Sequence, residues 1–249
     1  MSEKTVKKRK TDYVLIIMCV LLLFVTCGTF LHGCSEKMKK RYVVELDAAF
    51  GGSNTGFNGV VRESGFTENL AEAIEEALTK DGNFTVIRTH DKGEESSVTQ
   101  RLEKIESDKP DIVISVHASG SPDETRSGMH VYAQPAAMKD HEASVKLAQA
   151  IQKAFADTSL KPQAGYLYYE MTDRDTERLK FAEITDKTDY KLKTWNILEG
   201  SGFPSVVVDQ IYISNKDDVR QWANPDGYKN AAERYLKALK EYFAIGSEE

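Results

Sequence analysis

The sequence predicts an α/β fold: a mostly parallel central sheet with helices on both faces, preceded by a single N-terminal transmembrane helix. Segments rich in β-branched and apolar residues alternate with segments of helical spacing, which is the order typical of a covered parallel sheet. Two strand segments, DIVISVHAS and PSVVVDQIYIS, are nearly unbroken apolar runs, as buried strands usually are. An uncharged apolar run precedes all of these elements.

The N-terminal 40 residues differ in composition from the rest. Residues 1–12 form a basic head, and residues 13–33 are uncharged and long enough to cross a bilayer core of about 30 Å as a helix. We expect an uncleaved anchor in the cell membrane, a linker over residues 34–40, and a C-terminal domain outside the cytoplasm. The alternative is a lipoprotein anchored at Cys34, because LHGC resembles a lipobox, although His32 replaces its usual small residue.

Cysteine usage and charge restrict the chemistry of the predicted outer domain, residues 41–245. All three cysteines, Cys19, Cys27 and Cys34, lie in or beside the apolar run, so the outer domain has neither disulfides nor thiolate ligands. The stretch through Cys34 carries five basic and two acidic side chains, so the net charge of −6 becomes −9 beyond it. An acidic domain is a poor partner for phosphate backbones, and we exclude nucleic-acid binding.

The first half of the outer domain contains three predicted strands and two predicted helices. RYVVELD (41–47) is a strand that leads into a glycine-rich loop. The segment TENLAEAIEEALTK has apolar residues at helical spacing, with Thr67 as its expected N-cap. FTVIRT (84–89) is the second strand, SVTQRLEKIES (97–107) a short helix, and DIVISVHAS (111–119) a strand buried on both faces.

The second half continues the alternation, with one interruption. GMHVYAQ (128–134) is a predicted strand and HEASVKLAQAIQKAF (141–155) an amphipathic helix. A charged stretch of about residues 157–193 follows, too polar for a core and too long for an ordinary connection, so we expect a solvated insert. PSVVVDQIYIS (204–214) is a second buried strand, and the last helix begins at Asn224-Pro225.

Three polar residues near the ends of buried strands are candidates for chemistry. His117 ends the strand DIVISVH, Asp209 is a lone carboxylate in an apolar run, and Glu63 follows the glycine loop. A His, a Glu and an Asp that converge on one cleft would suit metal-assisted hydrolysis. Each residue also has a structural explanation, since strand-end histidines form hydrogen bonds and an Asp at a strand end often caps the next turn. Position alone leaves both explanations open.

From residue 41 to about 243 the sequence resembles the zinc-dependent N-acetylmuramoyl-L-alanine amidases of the amidase-3 type, which are cell-wall hydrolases. The family's Asp-Pro-Gly-His-Gly-Gly loop corresponds to DAAFGG, which ends in the cleft-loop glycines Gly51 and Gly52. The family's Glu at the start of the first helix corresponds to Glu63, and its Ser-Ile-His-Ala-Asn strand end to SVHAS with His117. Its strand Pro-x-Val-Leu-Val-Glu, followed by Gly-Phe-x-Ser-Asn, corresponds to PSVVVDQIYISN.

The resemblance implies a zinc ion held by two His and one Glu, and a Glu on the last strand that activates the bound water. Glu63 and His117 match two of these ligands, whereas Phe50 stands at the first ligand position and Asp209 at the position of the catalytic Glu. Catalytic zinc normally has three protein ligands, so we expect zinc to bind weakly or not at all. His130, on the next strand, is the candidate substitute ligand.

Two functional hypotheses remain open at this point. In the first, the domain no longer hydrolyses peptidoglycan and instead binds the muramyl peptide or a partner such as another cell-wall protein. In the second, it is an active peptidoglycan amidase with an altered metal site formed by Glu63, His117 and Asp209. We favour the first because two site positions differ from the family at once. The remaining histidines of the domain, His90 and His141, are expected to face solvent.

Overall fold

The computed structural model describes residues 41–171, 177–188 and 193–246. The expected basic head, membrane anchor and linker, residues 1–40, lie outside these ranges. None of the helices within them combines the length and apolar character that a bilayer crossing requires.

Strands and helices alternate along the described residues, as the sequence predicts. The strands are β1 (Tyr42–Ala48), β2 (Phe84–Arg88), β3 (Ile112–Ser119), β4 (His130–Ala133), β5 (Gln163–Met171), β6 (Glu177–Glu183) and β7 (Ser205–Tyr212). The helices are α1 (Glu63–Asp81), α2 (Val98–Asp108), α3 (His141–Phe155), α4 (Asn196–Gly200), α5 (Lys216–Trp222) and α6 (Pro225–Tyr242).

The strands that the structure describes form one sheet in the order β2-β1-β3-β7-β4-β5-β6. The pairs β1–β2, β1–β3, β3–β7 and β4–β5 are parallel, whereas β4–β7 and β5–β6 are antiparallel. The predicted α/β class is therefore confirmed, and the sheet is mixed. The antiparallel pairs all involve β4 or the β5–β6 hairpin, in the half of the chain that the charged stretch interrupts.

The two faces of the sheet carry cores of different size, because side chains alternate along each strand. On one face, Leu46, Ile114 and Val208 belong to the large core that also contains apolar residues of α1, α3 and α6. On the other face, Val113 and Val207 belong to a smaller core with α2 and α4. The smaller core leaves room on its face for the polar side chains of the candidate site.

The first helix begins earlier than predicted. It starts at Glu63 rather than after Thr67, and Arg62 occupies the N-cap position without a side-chain cap. Thr67 is buried inside the helix, and its hydroxyl lies 2.8 Å from the carbonyl oxygen of Ala49. The prediction that Thr67 caps the helix was wrong because this hydroxyl instead ties the helix to the loop after β1.

The prediction of a solvated insert was wrong for the hairpin formed by β5 and β6. Tyr166 and Tyr168 are buried in the large core, and the register pairs Tyr166 with Ala182. Buried tyrosines alternate here with more exposed residues, which is the period of a strand with one covered face. The many charged residues elsewhere in the stretch conceal that period. Residues 172–176 and 189–192 of the stretch lie outside the described residues.

The two histidines expected at the surface instead form hydrogen bonds with backbone carbonyl groups. His90 is buried, and its Nε2 lies 2.8 Å from the carbonyl oxygen of Ala48, just before the glycine loop. His141 is half-buried, and its Nδ1 lies 2.8 Å from the carbonyl oxygen of Gln134. The expectation for both was wrong because buried or partly buried carbonyl groups require donors that the local strands do not supply.

A buried ion pair fixes the end of β1 on the smaller-core face. Asp47 is fully buried, and its carboxylate accepts hydrogen bonds from Arg101, 3.0 Å, Thr89, 2.7 Å, and Ser115, 2.6 Å. These donors come from α2, from β3 and from the residue that follows β2. A buried carboxylate is stable only with such partners, so the network holds β1 and α2 in a fixed relation.

Glu45, two residues before Asp47, is a buried carboxyl group of a different kind. It is fully buried, and neither oxygen has a hydrogen-bond partner in the part of the chain that the structure describes. Burial, followed by repulsion from Asp108, raises the pKa of Glu45 to about 8, and Lys104 offsets this only in part. Glu45 is therefore a neutral acid in the folded protein at neutral pH.

The raised pKa of Glu45 predicts that the free energy of unfolding falls as the pH rises. The folded state keeps the Glu45 proton up to about pH 8, whereas the unfolded chain releases it near its ordinary value of 4.5. Between these pH values the folded state binds one more proton than the unfolded state. Each pH unit of increase therefore lowers the free energy of unfolding by up to about 1.4 kcal/mol through Glu45. Glu45→Gln should remove this dependence, as measured by urea unfolding at pH 5, 6.5 and 8.

Glu103→Gln, an exposed change on α2, is the matched control and should keep the wild-type pH dependence. Equal slopes in wild type and Glu45→Gln would contradict the assignment.

Candidate functional site

The predicted site residues lie at the carboxyl ends of adjacent strands, where α/β proteins usually place their ligands. Phe50 lies in the loop after β1, His117 near the end of β3, and Asp209 in β7. His117 and Asp209 are direct neighbours in the parallel β3–β7 register, so both side chains point to the smaller-core face. Glu63 enters from the first turn of α1.

The loop glycines allow another segment to come close. Gly51 and Gly52 have φ angles of 150° and 55°, which favour glycine. A Cβ atom on Gly51 would lie 2.3 Å from the carbonyl oxygen of Glu94, and one on Gly52 would lie 2.6 Å from the Cβ of Glu95. The two predicted cleft-loop glycines therefore let the Glu94-Glu95 segment lie directly against the loop.

Phe50 occupies a conformation that a non-glycine residue adopts only at a cost. Its φ of 68° lies in the left-handed region, which costs about 1–2 kcal/mol for an ordinary L-residue. Its ring meets that of His117 edge to face, with centroids 5.7 Å apart and planes at 79°. On another side the ring contacts Gly56, where an added Cβ would lie 2.4 Å from Cδ2. The phenyl group is thus held between His117 and the loop.

Glu63 is the central hydrogen-bond acceptor of the site. Its Oε2 accepts a hydrogen bond from the backbone N–H of Phe57, 3.0 Å, and its Oε1 from that of Ala118, 3.1 Å. The same Oε1 lies 3.4 Å from Nδ1 of His117. The carboxylate, which is almost fully buried, therefore joins the loop after β1 to the end of β3. The predicted metal ligands Glu63 and His117 are brought together.

Asp209 is a buried acid beside this pair. Its Oδ2 accepts a hydrogen bond from the hydroxyl of Ser119, 2.8 Å, and a longer one from Tyr132, 3.3 Å. Burial raises the pKa of Asp209, whereas His117 and the Ser119 hydrogen bond lower it and Glu63 raises it further. Burial has the largest effect, so the carboxyl group holds its proton to a higher pH than an exposed Asp does.

His130 lies on the far side of Asp209, directly opposite it in the antiparallel β4–β7 register. Strand spacing places its Cα about 9–10 Å from that of His117, with β7 between them. The ring contacts Tyr132, Phe181 and Tyr212 at centroid distances of 6.0, 5.8 and 6.2 Å. Burial lowers the pKa of His130, so the imidazole favours its neutral form.

Aromatic and hydroxyl groups that were not predicted from the sequence complete the site. The ring of Trp195 lies 4.9 Å from that of His117 and 5.8 Å from that of Tyr132. Ser119 and Tyr132 each follow a selected histidine by two residues, so strand periodicity places them on the same face. That periodicity was the available signal for both. Trp195 stands at the end of the charged stretch, where no pattern indicated it.

The donor set does not make up a three-ligand metal site. The described ranges contain no group of three or more His, Cys, Asp or Glu side chains arranged to hold a metal ion. Glu63 and His117 remain paired, but the third position carries the Phe50 ring, which has no donor atom. Catalytic zinc normally has three protein ligands and an open position, and these residues do not fit that requirement.

Comparisons with known proteins agree on the fold and the family. A family model described as N-acetylmuramoyl-L-alanine amidase matches residues 44–241. The chain is 25% identical over 224 residues to the N-acetylmuramoyl-L-alanine amidase AmiC of Escherichia coli, a match that covers 82% of this chain and 54% of that protein. This chain thus spans about half the length of that relative.

Two solved structures are similar. The catalytic domain of CwlV, an amidase from Bacillus (Paenibacillus) polymyxa, has a TM-score of 0.63 at 20% identity, over 82% of this chain and 99% of that one. The CwlD amidase from Clostridioides difficile, solved in complex with the GerS lipoprotein, has a TM-score of 0.61 at 17% identity, over 82% of this chain and 100% of that one. At these identities the likenesses show the fold.

The hydrogen bonds of Glu63 predict a structural role that is independent of any metal. Glu63→Ala leaves the N–H groups of Phe57 and Ala118 without their acceptor and should lower the free energy of unfolding by about 2–4 kcal/mol. Glu63→Gln keeps one carbonyl oxygen and should lose less. Urea unfolding in a buffer with a metal chelator measures both changes.

Glu76→Ala, an exposed change on the same helix, is the control and should alter stability little. A Glu63→Ala variant as stable as Glu76→Ala would show that the carboxylate does not hold the loop.

Proposed function

The chain belongs to the N-acetylmuramoyl-L-alanine amidase family, and on that premise we propose that its outer domain binds peptidoglycan without cleaving it by zinc chemistry. The observation that carries the proposal is the position of Phe50. Its ring lies edge to face against His117, next to Glu63, where the family resemblance calls for the first histidine ligand. The cleft is retained, but only two of its expected metal ligands, Glu63 and His117, are present.

The second site change supports the same proposal. Asp209 replaces the catalytic Glu and is shorter by one methylene group, which withdraws its carboxyl group from a water that a general base must contact. The carboxyl group is also buried, with a raised pKa, and hydrogen-bonded to Ser119 and Tyr132. The shorter side chain is the change that argues against a general-base role, because a base must lie within hydrogen-bond reach of the water that it activates.

The alternative function is hydrolysis of peptidoglycan with an altered metal site formed by Glu63, His117 and Asp209. The adjacency of these three residues at the carboxyl edge of β3 and β7 favours it. The hydrogen bonds of the two carboxyl groups argue against it. Asp209 accepts hydrogen bonds from Ser119 and Tyr132, and Glu63 accepts them from two backbone N–H groups. Because each carboxylate oxygen has two lone pairs, these hydrogen bonds compete with an ion without excluding it.

The cell-surface location belongs to the same proposal. The apolar run of residues 13–33 would anchor the chain in the membrane, with the domain outside the cytoplasm, and lipidation at Cys34 is the alternative anchor. A tethered, non-hydrolysing domain would hold the membrane against the cell wall or place a partner at a muramyl peptide.

A protein partner is the second binding function. The β5–β6 hairpin exposes large apolar side chains: Leu179 is 61% exposed, Tyr169 39% and Phe181 37%. Exposed apolar clusters often mark interaction surfaces. The similar CwlD structure is a complex with a lipoprotein, and another cell-wall protein on this hairpin is the corresponding possibility for this chain.

Binding without cleavage is the first expected outcome. The full chain in detergent should sediment with purified peptidoglycan, and the suspension should release no new amino ends of L-alanine, in buffer with or without added zinc. Sedimentation with release of such ends in the presence of zinc would favour the active amidase. Absence of sedimentation would favour the protein partner at the hairpin.

Restoring the family residues should restore metal binding. Phe50→His with Asp209→Glu supplies a third ligand and the longer acid, so the double variant should retain zinc through gel filtration at several times the level of the wild type. Metal analysis by mass spectrometry measures the ratio of zinc to protein. Phe50→Leu with Asp209→Glu is the matched control, because it changes the same positions without adding a ligand.

No gain of zinc in the Phe50→His, Asp209→Glu variant would mean that these positions do not correspond to the family's site.

A further inference from the structure

Arg126 places a positive charge at the end of the cleft that His130 occupies. It lies in the loop between β3 and β4, and its guanidinium group lies over the ring of Tyr212, 5.3 Å from the centroid. That ring meets the ring of His130 edge to face, with centroids 6.2 Å apart. Among the residues that the structure describes, no carboxylate lies within ion-pair distance of Arg126. Its charge is therefore available to a ligand in the cleft.

The loop that carries Arg126 is fixed on both sides of this residue. On one side, the side-chain N–H of Asn215 donates to the carbonyl oxygen of Glu124, 3.0 Å. On the other side, the hydroxyl of Ser127 donates to the carboxylate of Asp218, 2.6 Å. Both of these partners belong to the beginning of α5, so the backbone at Arg126 has a defined position. The contact with the tyrosine ring restricts the guanidinium group as well.

The guanidinium group suits a ligand that carries a carboxylate. Its planar set of N–H donors matches the two oxygens of a carboxylate, and stacking on a ring uses the face of the group rather than its N–H edge. Burial lowers the pKa of His130; Asp209 opposes this effect and Arg126 adds to it. Because the imidazole favours its neutral form, the positive charge that a ligand meets beside it is that of Arg126.

The surroundings of Arg126 favour a single carboxylate over a polyanion. Asp123 and Glu124 are exposed on the same loop, and the chain beyond Cys34 has a net charge of −9. These acids repel a chain of phosphate groups, whereas one carboxylate in contact with the guanidinium meets an opposite charge at short range. The carboxylate of Asp123 accepts hydrogen bonds from the backbone and hydroxyl of Thr125, 3.0 and 2.6 Å, rather than from the arginine.

From these contacts we propose that Arg126 is a specificity-determining residue of the cleft, whose guanidinium group binds a carboxylate of the ligand. The inference rests on the proposed function, in which the ligand is a muramyl peptide. It adds that the domain distinguishes a peptide with free carboxylates from the same peptide in which they are amides. An amide carries no negative charge, and its NH₂ group would face the N–H donors of Arg126.

The test compares two soluble ligands that differ only in these groups: N-acetylmuramoyl-L-alanyl-D-glutamic acid and its diamide. Their binding to the full chain in detergent, with a metal chelator present, is measured by titration calorimetry. The acid should bind about three- to tenfold more tightly than the diamide, because a charge-assisted pair at a partly exposed site contributes about that factor. The ratio of the two affinities should fall at high salt, which screens exposed charges.

Three variants assign this preference to one side chain. Arg126→Gln should remove it, whereas Arg126→Lys, which keeps the charge without the planar donor edge, should retain part of it. Lys229→Gln is the matched control, because it removes one exposed positive charge from α6, on the side of the larger core. An arginine that only packs on Tyr212 would affect both ligands equally, so the ratio of affinities reports on the carboxylate contact.

The outcomes separate this inference from the proposed function. A preference for the acid that Arg126→Gln removes and Lys229→Gln keeps supports the role of Arg126, even if the full chain cleaves peptidoglycan. Equal affinity of the wild type for both ligands, or a preference that survives in Arg126→Gln, overturns this role and leaves the proposed function standing. Binding of neither ligand by a chain that circular dichroism shows to be folded contradicts both.

Discussion

The candidate site depends on one carboxylate that is already satisfied by the protein. Glu63 accepts the backbone N–H groups of Phe57 and Ala118 and lies against His117, so one side chain fixes the loop after β1 and the end of β3 at the same time. Because unpaired buried N–H groups are costly, this arrangement holds the cleft open and in register without an ion. A cleft that is held by these hydrogen bonds does not depend on a metal ion for its shape.

That constraint explains why a phenyl ring is tolerated at Phe50. The loop that Glu63 fixes gives Phe50 its left-handed φ of 68° and sets the ring between His117 and Gly56. The local strain, of about 1–2 kcal/mol, is small beside the contacts that hold the loop. On the neighbouring strand, Asp209 is a buried acid with a raised pKa, hydrogen-bonded by Ser119. We propose that this cleft, whose shape is held by the protein's own contacts, binds its ligand without proton transfer.

The sequence predicted the order of elements and the residues at the strand ends, because apolar periodicity and the family motifs both report on buried strands. It placed Glu63 and His117 correctly as neighbours. It misassigned Thr67, because the hydroxyl of this residue makes a tertiary contact instead of a cap. It also misassigned the β5–β6 hairpin, where the charged residues of the stretch conceal the buried Tyr166 and Tyr168. Trp195 was not predictable, because its approach to His117 is set by how a distant segment folds over the sheet. Contacts between segments far apart in sequence leave no local pattern.

We propose that Glu63 and His117, with Phe50 beside them, do not hold a zinc ion. The most direct measurement is anomalous diffraction at the zinc absorption edge from crystals of the protein grown with excess zinc. We predict no anomalous peak between Glu63 and His117. A fully occupied ion at that point, completed by a third side chain of this protein, would contradict the proposal and favour the active amidase.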